Sequence, residues 1–369
     1  MVDSDNTVWA VNWTEPTAPG IAKFDGHWSI YGVGDGPSSN SYQGLVQDRN
    51  GDYWFGSFQS EKGVDRFDGS TWQNFRMTDG LAGENVSDIV LDAEGNLWMS
   101  NFGDDGGVTK YDGSTFTAFQ GDGSILPDLY YLRLAVDSAG KIWLAALDGF
   151  VVEFDGLNWQ VYSGAEGLDS DFIQDVYVGA DDTVWAVGEG LSSDRGGLFR
   201  FDGTFWERYT VEDGLISNTA RAVFEASNGD IWVGTNEGVS RLVGGSQFIN
   251  YQESDGLIEN HVRDFVEDQD GCIWIATWGG ISKFNPTLGV FDTLKEGVQI
   301  VPNPAQSVIN IRGAVDVASI RIYSVLGEEV LRVDSDFERV DISSLASGHY
   351  WLLVNESTGA QGFQKLIVH

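Results

Sequence analysis

Cysteine is nearly absent. Cys272 stands alone in 369 residues, which excludes a disulfide framework and a thiolate metal site. No apolar run approaches the ~18 residues of a membrane-spanning helix. No nucleophile elbow, phosphate loop or HExxH motif occurs. Basic residues are few: 21 Lys and Arg stand against 56 Asp and Glu, a net charge of −35. Residues 298–369 hold 5 of the basic and 8 of the acidic residues, which leaves −32 on residues 1–297. A field of that sign repels nucleic acid and anionic lipid headgroups and suits a soluble protein that meets neutral or cationic ligands. The opening MVDSDNTVW is polar and has no signal-peptide character. It begins in the middle of a repeat, so the native N-terminus is expected further upstream.

What is present points to β-structure: 13% aromatics, 47 glycines, and 42% apolar residues, enough for more than one core. Tryptophan sets a period. Trp9, Trp54, Trp98, Trp143, Trp185, Trp232 and Trp274 are 45, 44, 45, 42, 47 and 42 residues apart. A turn-like stretch precedes each, as in DRNGDY and DAEGNL. A glycine and a short apolar–basic–aromatic strand follow, as in GVDRFDG and GVTKYDG. An aromatic pair three apart comes next (Trp72/Phe75, Trp159/Tyr162), and a DGL-like segment closes the unit. Each unit reads as four short strands separated by turns, with the DG dipeptides expected in type I′ hairpins. Four strands at a period of ~40–50 residues is the signature of a propeller blade. Seven units predict an all-β, seven-bladed β-propeller over residues 1–292. Blade 1 lacks its innermost strand, and restoring ~15 upstream residues is expected to raise the melting temperature by covering the exposed strand edges.

The phrase in DAEGNLWMSN, SNGDIWVGTNEGVSRL and QDGCIWIATWGGISKF resembles the two-component regulator propeller repeat. This resemblance covers residues 1 to about 292 and implies the propeller fold, since such repeats occur in sensors, binding proteins and enzymes alike. After a linker at 293–297 the tryptophan period stops. PNPA, YSVLGEEV, DISSLASGHY and a terminal KLIV, in that order over residues 298–369, resemble the C-terminal sorting domain of the type IX secretion system. That resemblance implies a small Ig-like β-sandwich and export across the outer membrane of a Bacteroidetes-type bacterium. Removal of the domain and attachment to the cell surface usually accompany it, so the type IX machinery is the expected partner of this segment.

Candidate chemistry is sparse. DSDNT, DRNGD and DQDGC hint at calcium loops, but they lack EF-hand ligand spacing and sit where hairpin turns use Asp, Asn and Gly. No metal or cofactor is expected. His349 and His369 fall in the sorting segment and His27 in a hairpin turn. That leaves His261, with Glu259, Arg263 and Asp264 nearby, as the acid–base candidate. The repeats also look distantly like streptogramin lyases, propellers that use a histidine and a metal, so a lyase using His261 is one alternative. Charges recur on the inner strands: Asp88, Arg133, Asp175 and Asp264 stand ten residues before their Trp, Arg221 and Arg263 eleven before.

The position four residues after each periodic Trp holds Trp13, Phe58, Phe102, Leu147, Glu189, Asn236 and Trp278. Its aromatics fall in blades 7, 1, 2 and 3, consecutive around a closed ring, on the face carrying the DGL loops. Either they pack between blades or they form an aromatic crescent for a ligand. The favoured reading is an extracellular binding protein for a glycan or other small ligand, using Trp13, Phe58, Phe102 and Trp278. Asn85, His261 and Arg263 would bond hydroxyls, and Arg133 and Tyr130 would lie on the far side. A protein-interaction platform on the same face is the other alternative.

Overall fold

The computed structural model describes the chain except residues 13–18, 60, 103–106, 121–130, 286–298, 303, 313–316, 325–328, 336, 338 and 357–360. The linker expected at 293–297 therefore lies outside the described residues. Two compact units are present: residues 1–250 with 261–268, and residues 251–260 with 269–369.

In the first unit the tryptophan repeats become successive antiparallel sheets. Blade 3 is representative, with strands Asn85–Leu91, Leu97–Phe102, Gly107–Tyr111 and Phe116–Gln120. The inner strands Tyr42–Gln47, Asn85–Leu91, Tyr131–Val136, Phe172–Val178, Ala220–Glu225 and Val262–Glu267 neighbour one another in order about a common axis. Blade 1 has three strands, Val8–Val11, Ile21–Phe24 and Trp28–Tyr31. On its inner side, among the described residues, Met1 and Val2 add to the sheet through a bridge of Val2 to Val8 and a 2.8 Å bond from Trp9 N–H to the Met1 carbonyl.

Trp9, Trp54, Trp98, Trp143, Trp185 and Trp232 are buried, while Trp274, in the second unit, is half-buried. Trp54 packs with Ile89, Leu97 and Met99 of blade 3, and Trp98 with Ile142 and Leu144 of blade 4. In blades 1 to 4 the indole N–H is satisfied by the turn aspartate. Trp9 donates to Asp3, Trp54 to Asp48 and Trp98 to Asp92, each at 2.9 Å. The same Asp92 accepts from the Glu94 and Asn96 amides at 3.0 and 2.8 Å, closing the turn into the second strand. The fourth residue of that turn is left-handed, as at Gly95 (φ 92°); Asn6 (62°) and Asp182 (64°) fill the place in blades 1 and 5 because their short polar side chains tolerate it. The basic residue of the repeat lies over the indole face: Arg66 on Trp54 at 5.7 Å, Lys110 on Trp98 at 5.1 Å. Blade 4 reverses a charge pair. Arg66 bonds Asp52 in blade 2, whereas in blade 4 Lys141 bonds Glu153 at 2.6 Å.

The expected type I′ turns do not form. In the FDG hairpins only the glycine has positive φ, as at Gly69 (89°) and Gly113 (91°). The aspartate keeps ordinary backbone angles because its carboxylate caps amides ahead of it; Asp68 accepts from Ser70 N at 2.8 Å and Thr71 N at 2.7 Å. In the DGL segments the aspartate caps a one-turn 3-10 helix, Asp79 accepting from Arg76 N at 2.9 Å.

Replacing Asp92 by Ala strands the Trp98 indole N–H in the core and should cost about 1–3 kcal/mol in denaturant unfolding. The loss should stay below the about 3–5 kcal/mol of Trp98→Ala, since blades 5 and 6 carry Gly179 and Ala226 at that place. Equal losses would refute a local role for the carboxylate.

The second unit contains the hairpin Ile273–Thr277 and Gly280–Phe284, with Lys283 4.8 Å over Trp274. It also contains a small sandwich. One sheet joins Gln299–Val301, Val308–Arg312 and Val340–Asp341; the other joins Glu329–Val333, Val317–Ser324, Gly348–Glu356 and Gln361–Val368. Among the described residues its core, including Ile309, Ile320, Ile322, Leu352 and Leu366, draws on residues from Ala305 to Val368.

Candidate functional site: the propeller axis and its DGL-loop mouth

The inner strands of blades 2 to 6 each carry a register irregularity, for example between Val86 and Asp88, Ile173 and Asp175, and Ala220 and Ala222. A bulge sets two residues of one strand against one of its neighbour and re-aims their side chains. Charges can thus occupy both of two successive inner-strand positions without one being driven into the sheet. Arg133 of blade 4 lies 3.6 Å from Asp88 of blade 3 and 3.7 Å from Asp264 of blade 7, joining three inner strands. Asp88 also accepts from Leu134 N of the next blade, and Asp175 from Val223 N, both at 3.0 Å.

Burial dominates the electrostatics here. It pushes the Asp175 carboxyl up to about 7, with Asp264 and Asp88 adding to the rise while Arg133 and the Val223 amide oppose it. Burial also raises Asp88, against the pull of Arg133. For Arg133 burial would favour the neutral form, but Asp264 and Asp88 outweigh it and hold the guanidinium charged.

At the end of the axis where the inner strands begin, each meets the end of its second strand. Asn85 pairs with Phe102, and Phe172 with Glu189. Phe58 and Phe102 are half-buried and in ring contact, centroids 5.3 Å apart and planes 51° to each other. Around the ring, in blades 5 and 6, Glu189 accepts from Gln174 Nε2 and from Arg221 Nη2, both at 2.8 Å. The DGL loops that rim this end are tied to the third strands: Ser38, Ala82 and Ile216 amides donate at 2.9 Å to Asp65, Thr109 and Ser240. That tie explains the polar residue inside the GVxRF and GVxKY strands.

The structure therefore brings Phe58, Phe102 and Asn85 together. Asn85 Oδ1 is buried with no hydrogen-bond partner among the described residues. Arg133 lies deeper, between Asp88 and Asp264. His261 and Arg263 are half-buried at the start of the seventh inner strand, and both are engaged by protein groups. Trp278, in the second unit, is 61% exposed. Trp13 and Tyr130 lie outside the described residues. Gln174 and Glu189 were not among the residues expected to bind. Their signal lay in the same columns, where Glu189 is the charged member of an otherwise largely aromatic series.

Comparison with known families supplies the context. Residues 299–369 match the secretion system C-terminal sorting domain. This domain marks the chain for secretion or outer-membrane surface attachment through the type IX system. Residues 36–59, 214–237 and 256–279 match the two component regulator propeller, so the repeats are those of a β-propeller. Among solved structures, the extracellular domain of the hybrid two component system BT3049 of B. thetaiotaomicron is similar with TM-score 0.65 at 18% identity, covering 100% of this chain and 54% of that one. PorZ, a bacterial surface component of the type-IX secretion system of Porphyromonas gingivalis, gives 0.55 at 17%, covering 95% and 63%. A catalytically inactive virginiamycin B lyase from Staphylococcus aureus gives 0.61 at 14%, covering 76% and 91%. At these identities the likeness shows the fold alone. Beta-agarase D of Zobellia galactanivorans is 36% identical over 73 residues, which are 20% of this chain and 15% of that protein. Among the described residues no helix is long and apolar enough to cross a membrane.

Proposed function

We propose that this secreted or surface-held propeller binds an extracellular glycan on the face carrying the DGL loops, residues 1–292 forming the binding module and 298–369 the sorting domain. The observation that carries this reading is the aromatic column at the second-strand ends. Phe58 and Phe102 stand in contact beside the Asn85 amide, and Trp278, which follows its periodic Trp by the same four residues in the sequence, is 61% exposed in the second unit. A pyranose has one apolar face, which aromatic rings bury while amides and charged groups bond its hydroxyls. The agarase match spans 73 residues, a fifth of this chain, so the activity in that name does not carry the reading.

Trp278→Ala should leave stability within roughly ±0.5 kcal/mol, as for an exposed side chain, and weaken binding on a glycan array clearly. Phe58→Ala should weaken binding as well, with a larger stability loss. Unchanged binding in both variants would refute the aromatic site. Reading the same incubations for cleaved products tests the lyase alternative through His261.

A further inference from the structure

We infer that the mouth of the first unit selects an uncharged glycan, with Gln174, Glu189 and Arg221 forming a polar wall that bonds sugar hydroxyls around the ring from the Phe58–Phe102 pair. This inference rests on the glycan-binding reading and names the class of glycan and three residues of the site.

The two walls occupy one level of the fold. Glu189 ends its second strand paired with Phe172, as Phe102 ends its own paired with Asn85. The repeat thus presents an aromatic surface from blades 2 and 3 and a hydrogen-bonding surface from blades 5 and 6. The polar wall is preorganised. One Glu189 oxygen is held by Gln174 and the other by Arg221, each at 2.8 Å, and the ends of two blades are thereby joined. Both charged side chains keep an open edge, Arg221 at 24% and Glu189 at 19% exposure. Among the described residues no further hydrogen bond engages these three side chains. Further guanidinium N–H groups, second lone pairs on the carboxylate and the Gln174 carbonyl therefore face outward demand. A hydroxyl both donates and accepts, and a wall offering both functions on fixed side chains suits it.

Charge decides between glycan classes. Arg133 meets Asp88 and Asp264 along the axis and acts on Asp175, and Arg221 meets Glu189 at the mouth, within residues 1–297 that carry −32. A uronate or sulfate group would approach Glu189 and the axial carboxylates against that field. A cationic sugar would approach guanidinium groups already placed between the carboxylates. An uncharged ring meets neither cost.

Isothermal titration of the full chain with cellohexaose, laminarihexaose and neoagarohexaose, beside hexagalacturonate and a sulfated carrageenan hexasaccharide, tests this. At least one neutral oligosaccharide should bind more tightly than either charged one. Glu189→Gln and Gln174→Ala should each weaken that binding by about 10-fold, the loss of one hydrogen bond to a charged or fixed polar group. The double variant Glu189→Gln/Arg221→Gln removes both ion-pair partners together and should also lose binding while keeping its unfolding midpoint. Tighter binding of a charged oligosaccharide would overturn the uncharged class. Full binding by all three polar variants, with binding lost in Phe58→Ala, would overturn the polar wall and leave the proposed function standing. Binding of no oligosaccharide at all would remove the glycan reading itself.

Discussion

Deleting residues 298–369 is expected to abolish export: in a type IX-competent host the truncated chain should collect in the periplasm while the full chain reaches the surface or the medium. The effect is all-or-none because the sorting match, residues 299–369, lies wholly inside the deleted segment. The remaining chain should still fold. Among the described residues the sandwich core is built from residues between Ala305 and Val368. The propeller clusters around Trp54, Trp98, Trp143 and Trp185 use only residues from their own and adjacent blades. Nearest-neighbour packing of this kind lets a repeat array fold on its own repeats. Cell fractionation with limited proteolysis reads both outcomes at once. Undiminished export of a protease-resistant truncated chain would show that these residues are not the sorting signal.

The second large effect is a pH-dependent gain in stability from Asp175→Asn. The Asp175 carboxyl sits at about 7 in the folded chain against an ordinary 3.8, because burial penalises its charge and Asp264 and Asp88 face it. Between those two values the folded state holds a proton that the unfolded state has released. Stability therefore falls as pH rises from about 4 to about 7, by at most ~1.4 kcal/mol per pH unit, and the full penalty of roughly 4 kcal/mol stands above pH 7. Asparagine is neutral at every pH. It offers one oxygen where the carboxylate accepts from both Val176 N and Val223 N, which gives back about 1 kcal/mol. The variant should be more stable than the parent by about 1–3 kcal/mol at pH 8 and show no advantage below pH 4. Arg133 keeps Asp88 and Asp264 as partners in the variant, so its own charge stays compensated. Urea unfolding across pH 4 to 8 gives the two curves; curves that run parallel would mean that Asp175 is ionised in both states.

These expectations differ in where they come from. The export prediction was readable in the order PNPA, YSVLGEEV, DISSLASGHY, KLIV. The blade count was readable in seven tryptophans. Both are local signals, because a four-stranded sheet is built from one contiguous repeat and its Trp, turn Asp and basic residue recur at fixed short spacings. Turn chemistry was legible only as turn. That Asp68 would cap amides ahead of it, rather than enter a type I′ hairpin, depends on a balance between a carboxylate with two donors and an aspartate with positive φ. Residue type alone does not show that balance.

Trp9 and Trp278 show the same division. Trp9 lies within a second strand and Trp278 in the turn that follows one, and Trp9 is 2% exposed against 61% for Trp278. The column of the repeat foretold burial for the first and left the second open between blade packing and ligand contact. The sequence alone thus determined the all-β repeat architecture, the sorting segment and the columns in which functional side chains stand. Only the tertiary structure decided which members of those columns meet. Arg133 reaches Asp264 three blades away, and Arg221 reaches back to Glu189 of the preceding blade. Repeat periodicity aligns equivalent residues but carries no information on what faces them across the axis. Asp88 and Asp175 acquire their raised proton affinities from burial and from charges on other blades.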